Sequence, residues 1–298
     1  MKDLLLPFLI EGAGARGSVV NLDATWREVM SRRDYPPLVR NLLGEAMAAA
    51  ALLCSTIKFD GALLLQAQAS GRETPIRLLV VECRSDFRMR ATAKLGVLPL
   101  DVPMSTMSTL LGEGKLVITI DPKDGQSSYQ GIVSLEGGHL GAALEHYMAR
   151  SEQLDTRIHL AADEQRAAGM LIQRVPDAGG GATSDIEAKW LDAVALAHTI
   201  TPAELLSLDQ TEIVRRLFHQ LDLRVFDGRP TRFECTCSRE RVAGMLRMLG
   251  QAEVDDIVAE LGRITVDCDF CSQAYAFDAV DAARLFHPGP AGTTGAVH

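Results

Sequence analysis

Cys235-Thr236-Cys237 and, about thirty residues later, Cys268-Asp269-Phe270-Cys271 organise the reading of this 298-residue chain. Four thiols arrive in two tight pairs, with room for one small folded unit between them. Zn²⁺ is commonly held by four thiolates at tetrahedral corners, clipped from two sides by such pairs. The second pair has ordinary knuckle spacing. In the first, an extended backbone would point residues i and i+2 to the same face, so both sulfurs can reach one metal. They can also reach each other, across a small and strained ring of the reducible kind. The spacing therefore suits a structural zinc clip and a pair of reversible disulfides alike. A disulfide framework of a secreted chain fits less well, because nothing else in the sequence points to secretion.

The composition is 47% hydrophobic, with 25 Gly and 12 Pro. That supports a sizeable core and suggests two domains. The net charge is −9 and no long basic stripe occurs, which argues against a nucleic-acid partner. Outside the quartet only Cys54 and Cys83 remain, and both read as buried small hydrophobes. Met1 to Ile10 is apolar but interrupted by Asp3 and Pro7, too weak for a signal peptide; a reducing, cytoplasmic setting is expected. Leu38 to Ile57, interrupted by Arg40, Asn41, Gly44 and Glu45, reads as a buried helix and not a membrane span.

Taken in order, Asn21 to Arg32 reads as a helix, broken at Asp34-Tyr35-Pro36-Pro37 before the Leu38 to Ile57 helix. The period then changes to two. Leu63, Leu65, Ala67 and Ala69 alternate with Leu64, Gln66, Gln68 and Ser70. Ile76 to Arg84 follows as a more buried strand. Phe87, Met89, Ala91 and Ala93 then alternate with Arg88, Arg90, Thr92 and Lys94, whose charges are expected to form a solvated sheet face. Leu116 to Ile120 and Tyr129 to Leu135 form a hairpin around Pro122 to Gly125. Leu140 to Leu154 reads as a helix, and Arg157 to Ala162 and Met170 to Val175 as strands. Residues 1–177 are therefore expected to form an α+β domain with a mainly antiparallel sheet.

Gly179-Gly180-Gly181 marks a boundary, and residues 178–230 are expected to form a helical linker. Ile186, Trp190, Val194 and Ala197 have helical spacing. Thr201-Pro202-Ala203-Glu204 is a capping box with Pro at the first helical position. Asp209 to Leu221 carries Ile213, Val214, Leu217, Phe218 and Leu221 on one face. Such short helices must lean on something, either permanently or conditionally. Leu223 to Asp227 and Thr231 to Cys235 flank the turn at Gly228-Arg229-Pro230. Ser238 caps a helix with Val242, Met245, Leu246 and Leu249 on its face, stopped by Gly250. Glu253 to Leu261 is a further helix, and Arg263 to Cys268 and Gln273 to Phe277 flank the knuckle. Residues 231–287 form the expected zinc-binding segment, and the 288–298 tail is Gly- and Pro-rich.

The stretch from Thr231 to Phe286 is about 56 residues, a size that is marginal without a staple. A structural zinc supplies roughly 10–16 kcal/mol in small peptides, comparable with the about 5–15 kcal/mol that stabilises a whole domain. Metal loss is therefore expected to unfold it. The ligand form of sulfur is the thiolate, which oxidants attack. Oxidation would remove the ligands, unsettle the neighbouring helices from Ser184 to Leu221, and expose apolar surface of the kind that binds other proteins. Patterns for an enzyme are absent. No Gly-rich phosphate loop occurs, no His-x-Glu precedes a Cys pair, and His146, His198 and His219 have no partner at ligand spacing.

The sequence resembles the redox-regulated chaperonins of the heat-shock protein 33 family over residues 1–287. The most specific segment is Phe233-Glu234-Cys235-Thr236-Cys237-Ser238-Arg239-Glu240-Arg241, followed by Cys268-Asp269-Phe270-Cys271. Arg150-Ser151-Glu152-Gln153-Leu154, Gly169-Met170-Leu171 and Lys58-Phe59-Asp60-Gly61 are similar as well. The resemblance implies an ATP-independent holdase of the bacterial cytoplasm, protecting unfolding proteins during oxidative and heat stress. It implies one zinc on Cys235, Cys237, Cys268 and Cys271 in the reduced, inactive form. In the oxidised form it implies Cys235–Cys237 and Cys268–Cys271 disulfides, zinc release, unfolding of the zinc domain and linker, dimerisation, client binding and later hand-off to ATP-driven foldases. No membrane and no nucleic acid are expected as partners. The Gly179–Gly181 break and the Gly/Pro tail depart from the family pattern.

Two other classes fit parts of the sequence. A thiol–disulfide oxidoreductase would use Cys-x-x-Cys as an exposed, low-pKa pair. A zinc-ribbon adaptor for nucleic acid would need basic residues, yet Thr231 to His298 carries six Arg and no Lys against ten Asp and Glu.

Overall fold

A computed structural model describes residues 3–70, 74–97, 107–112, 114–123, 125, 127–135, 138–175 and 183–286. The expected break at Gly179–Gly181 and the 288–298 tail lie outside the described residues, as does part of the Pro122–Gly125 turn. The chain divides into two compact units between Glu234 and Cys235. In chain order the first unit holds β1 (Leu4–Ile10), β2 (Ala15–Leu22), α1 (Ala24–Met30), α2 (Pro37–Thr56), β3 (Gly61–Gln68), β4 (Ile76–Arg84), β5 (Arg88–Leu95), α3 (Met107–Leu111), β6 (Lys115–Pro122), β7 (Tyr129–Val133), α4 (Leu140–Ser151), β8 (Thr156–Ala162), β9 (Ala167–Arg174), α5 (Thr183–Ala197), α6 (Pro202–Ser207), α7 (Gln210–Phe218), β10 (Leu223–Val225), β11 (Arg229–Pro230) and β12 (Arg232–Phe233). The second holds α8 (Arg239–Leu249), α9 (Gln251–Leu261), β13 (Ile264–Asp267), β14 (Ala274–Phe277) and α10 (Ala279–Phe286).

The fold is α+β, with two six-stranded sheets in the first unit. One runs β10-β1-β2-β9-β8, with β11 also on β1; the other runs β12-β5-β4-β3-β6-β7. Every pairing between these described strands is antiparallel except β12 on β5. Helix α2 lies between the sheets. Its Leu43, Met47 and Leu52 pack with Leu5, Val20 and Leu171 of one sheet and Leu63, Leu79 and Met89 of the other. By length and composition α2 could cross a bilayer, but most of it is buried inside this unit. Its small residues allow close approach. A Cβ built at Gly44 would lie 2.5 Å from Ala162 Cβ, so only glycine fits there.

Alternation places Leu63, Leu65 and Ala67 of β3 inward and leaves Leu64 and Gln66 half-exposed, as the period of two requires. The charges of β5 are not a freely solvated face. Arg88 pairs with Glu234 and with Asp86 at 2.7 Å, and Arg90 donates to Glu82 at 2.9 Å. Glu82 is itself buried.

Strands β1 and β2 were not legible as strands. Both faces of β1 are covered, so its apolar run shows little alternation. Leu5 enters the α2 core, while Leu6, Phe8 and Ile10 face the opposite layer. Pro7, which has no N–H, sits where the outer partner changes: β10 pairs with Phe8–Ile10 and β11 with Leu4–Leu5. The expected Asn21–Arg32 helix begins only at Ala24, because β2 continues to Leu22. The Asp3 carboxylate fixes that start, accepting hydrogen bonds from the N–H groups of Asp23, Ala24 and Thr25 at 3.0, 2.9 and 2.8 Å. This is a cap supplied from twenty residues away.

The segments on either side of the expected Gly228-Arg229-Pro230 turn do not pair with each other. Arg229–Pro230 is itself a short strand on β1, Leu223–Val225 joins β1, and Arg232–Phe233 crosses to β5. The segment is thus a strap stitched to both sheets. Residues 231–234 lie in the first unit, on the amino side of the division.

Helices α5 to α7 cover the outer face of the first sheet. Trp190, Ala193, Ala197, Leu205, Ile213, Val214 and Phe218 are buried against Phe8, Ile10, Val19, Met170 and Ile172. The Phe218 and Phe8 ring centroids are 5.5 Å apart. That approach needs Gly17 opposite Phe8, since a Cβ there would lie 2.2 Å from the Phe8 ring. Both reciprocal hydrogen bonds of the Thr201–Glu204 capping box are present. His198, expected to have no ligand partner, meets His159 edge-on at 5.2 Å.

Candidate metal centre

In the second unit, Ser238 accepts a hydrogen bond from the Arg241 N–H and starts α8, as its N-cap position dictates. Gly250, at φ 100°, ends that helix and admits α9. Strands β13 and β14 pair antiparallel, Ile264 opposite Phe277. The core is small: Ala243, Leu246, Val254, Ile264, Phe277 and Ala282. Two residues expected on the inner face of α8, Met245 and Leu249, are half-exposed instead, and Ala243 takes the buried position.

The two cysteine pairs come from different local structures. Cys235 and Cys237 lie in irregular chain between β12 and α8, not on the extended strand expected for them. Cys268 and Cys271 sit in the turn between β13 and β14. Cys268 N–H donates to the Gln273 carbonyl at 3.0 Å, Ser272 N–H donates to the Cys268 carbonyl at 2.9 Å, and Ser272 takes φ 59° to close the loop.

All four Sγ atoms lie within 4.8 Å of one another, and all four residues are half-buried. Cys235 and Cys268 sulfurs are 3.6 Å apart and Cys237 and Cys271 sulfurs 3.4 Å apart. A tetrahedral zinc with Zn–S of about 2.3 Å would hold sulfurs about 3.8 Å apart. The donor set therefore fits a soft divalent metal in number, type and spacing. Burial pushes the Cys271 thiol up, and contacts with the other three sulfurs raise it further, while a backbone hydrogen bond from Gln273 opposes them. A cation at the centre of the four sulfurs would favour the thiolate form that a metal ligand needs.

Some of the site was missed in the sequence. Tyr275 Oη donates to Cys237 Sγ at 3.1 Å, and that bond, with desolvation and the neighbouring sulfurs, raises its own pKa to about 12. Tyr275 and Phe277 share one face of β14 by the period of two, which was the available signal. Arg239 lies over the Phe277 ring at 4.2 Å and donates to Asp281 at 2.7 Å. Helix α10 also went unread, although Asp278-x-x-Asp281 is a capping pattern; Asp281 N–H donates to Asp278 Oδ1 at 2.8 Å. The other two cysteines, Cys54 and Cys83, are buried in the core of the first unit.

A profile of the Hsp33 protein family matches residues 3–278. The chain belongs to the Hsp33 family. Relatives named 33 kDa chaperonin include one from Methylobacillus flagellatus, 47% identical over 96% of this chain and 95% of its own length. Another, from Chromobacterium violaceum, is 45% identical over 95% of this chain and 94% of its own length. The crystal structure of the 33 kDa chaperonin (heat shock protein 33 homolog) from Thermotoga maritima superposes with a TM-score of 0.78 at 19% identity, covering 96% of this chain and 98% of that one. At that identity the match speaks for the fold. Membership supports a chaperone role, and the four-cysteine cluster of this Hsp33-family chain could hold a metal ion.

Proposed function

We propose that this chain is a redox-switched, ATP-independent holdase of the cytoplasm. In the reduced state Cys235, Cys237, Cys268 and Cys271 hold one Zn²⁺, which staples a unit whose buried core comprises six of the described residues. The single observation that carries this reading is the convergence of four half-buried sulfurs within 4.8 Å. A closed four-sulfur shell leaves no position for catalysis, which supports a switch and not an enzyme.

Oxidation acts on the ligands. Near-neighbour pairing, Cys235 with Cys237 and Cys268 with Cys271, forms two disulfides. Each bridge gives two electrons to a peroxide, which leaves as water. With the thiolates consumed, the staple is lost and the Cys235–Phe286 unit unfolds. Residues 178–230 serve as the linker that loosens next, offering the buried faces of α5 to α7 to unfolding clients. The oxidised protein dimerises and later passes clients to ATP-driven foldases. The acidic balance, −9 overall, favours protein clients over nucleic acid.

The test is treatment with peroxide at elevated temperature, following released zinc with a chromophoric chelator and client aggregation by light scattering. Zinc release together with suppressed aggregation is expected. Zinc release with no gain in suppression would sink the reading.

A further inference from the structure

We propose that the first unit carries a binding site for a soluble single-chain amphiphilic anion, an alkyl carboxylate or alkyl phosphate, at the carboxyl end of α2. Two adjoining cavities build it. One, of about 300 Å³, is lined by Leu53, Leu63, Ile118, Ile120, Met148 and Leu154, and lies between α2, β3, β6 and α4. Tyr129, Tyr147 and Glu152 line it as well, and the two tyrosine hydroxyls donate to the Glu152 carboxylate at 2.9 and 2.7 Å. The other, of about 320 Å³, is polar and is lined by Arg16, Lys58 and Arg229 with the hydroxyls of Ser55, Thr56 and Ser85. Arg16, Thr56 and Ile57 line both, so the cavities share a wall.

The electrostatics favour an anion. No acidic side chain lines the polar cavity, and Glu152, the one carboxylate among the residues lining the apolar cavity, is engaged by Tyr129 and Tyr147. Arg16 is half-buried, yet it is anchored by a neutral group: its Nε donates to Gln173 Oε1 at 3.0 Å, and Gln173, fully buried, donates in turn to Thr156 Oγ1 at 2.9 Å. Arg229 stacks over Phe87 at 4.3 Å and donates to the Ser85 carbonyl at 3.1 Å. Lys58 is exposed, and the nearby Asp60 is taken by Lys123 at 2.8 Å. Three cations thus face one cleft with no carboxylate partner among the described residues. A half-buried guanidinium held by an amide keeps its full charge for a ligand. An apolar slot opening beside it selects a chain with one charged end.

The site lies wholly within the first unit; on the proposed function, its Arg229 belongs to the segment that loosens on oxidation, so the site is complete in the reduced protein. Arg229 belongs to the strap that ends at Glu234, so a bound head group would also fasten β11. The experiment is calorimetric titration of the full-length reduced protein with octanoate and decanoate below their micellar concentrations, with decanol as the neutral control. Saturable binding is expected. Decanoate should bind about fifteenfold tighter than octanoate, about fourfold per added CH₂, and at least tenfold tighter than decanol. Lys58→Glu and Arg229→Glu should each weaken decanoate at least fivefold, and Ile120→Glu should abolish tail-length dependence, with unchanged circular dichroism in all three. Equal affinity for decanol, no saturable heat, or variants that bind as the parent does would overturn the proposal. So would binding confined to vesicles of anionic phospholipid, since that would report a surface and not this cavity.

Discussion

Truncating Phe218 to Ala removes the ring at the centre of the helical layer that covers the first sheet. Phe218 is fully buried and packs 5.5 Å from Phe8, with Gly17 keeping room for the Phe8 ring. Burial of this kind is worth about 3–5 kcal/mol in Phe→Ala changes, because the cavity left behind cannot collapse fully. The loss of the ring pair adds to that cost. Helices α5 to α7 span 15, 6 and 9 residues, too short to persist without the sheet beneath them. Weakening their docking by about 3 kcal/mol raises the undocked population more than a hundredfold. Under reducing conditions with zinc retained, the Phe218→Ala protein should suppress aggregation of a heat-unfolding client without oxidant, and limited proteolysis should cut first within residues 183–221. Phe218→Leu keeps most of the volume, should cost less than about 1.5 kcal/mol, and should stay inactive until oxidised. A Phe218→Ala protein that is cut early in this segment yet gains no holding activity would refute the link between these helices and client binding. One that resists protease as the parent does would refute the docking energetics.

Other outcomes follow from the same structure. Stripping the metal with a strong chelator under reducing conditions should release one zinc per chain, expose four more reactive thiols and erase the near-ultraviolet dichroism of the carboxyl-terminal unit; retained structure there would show that its six-residue core suffices. Tyr275→Phe removes the donor to Cys237 and should lower zinc affinity by about tenfold in a chelator competition, the lower end of what second-layer partners contribute. Burial raises Glu45 to about 7 and, with His198 and His139, lowers His159 to about 4, and both line one cavity under α6. Neutral His159 gives stability that is full above about 6.5 and lost as pH falls through 4, whereas protonated Glu45 gives stability that is full below about 4.5 and lost as pH rises through 7. The two slopes oppose each other between about 4.5 and 6.5. Thermal melts of Glu45→Gln should therefore show stability rising with pH across that range, and those of His159→Gln should show it falling; unchanged profiles in both would remove these groups from the linkage.

The two parts of this protein differ in how much of each the sequence determined by itself. Cysteine spacing announced the thiol cluster, because ligands in tight pairs need only a short chain reversal to converge. The Ser238 cap, the Thr201 capping box and the period-two strands β3 to β6 were equally legible, since each is a contact among near neighbours. Tertiary structure alone decided the rest. Strand β1 is covered on both faces, so its pattern carries no period. Helix α1 is started by Asp3 from twenty residues away, and the charges of β5 are answered by Glu82 and by Glu234 from the far end of the unit. The strap at 223–233 joins two sheets whose partner strands lie up to about 220 residues earlier. Such pairings are chosen by which buried groups would otherwise be left unmatched once the whole unit closes, and no local window of residues contains that information.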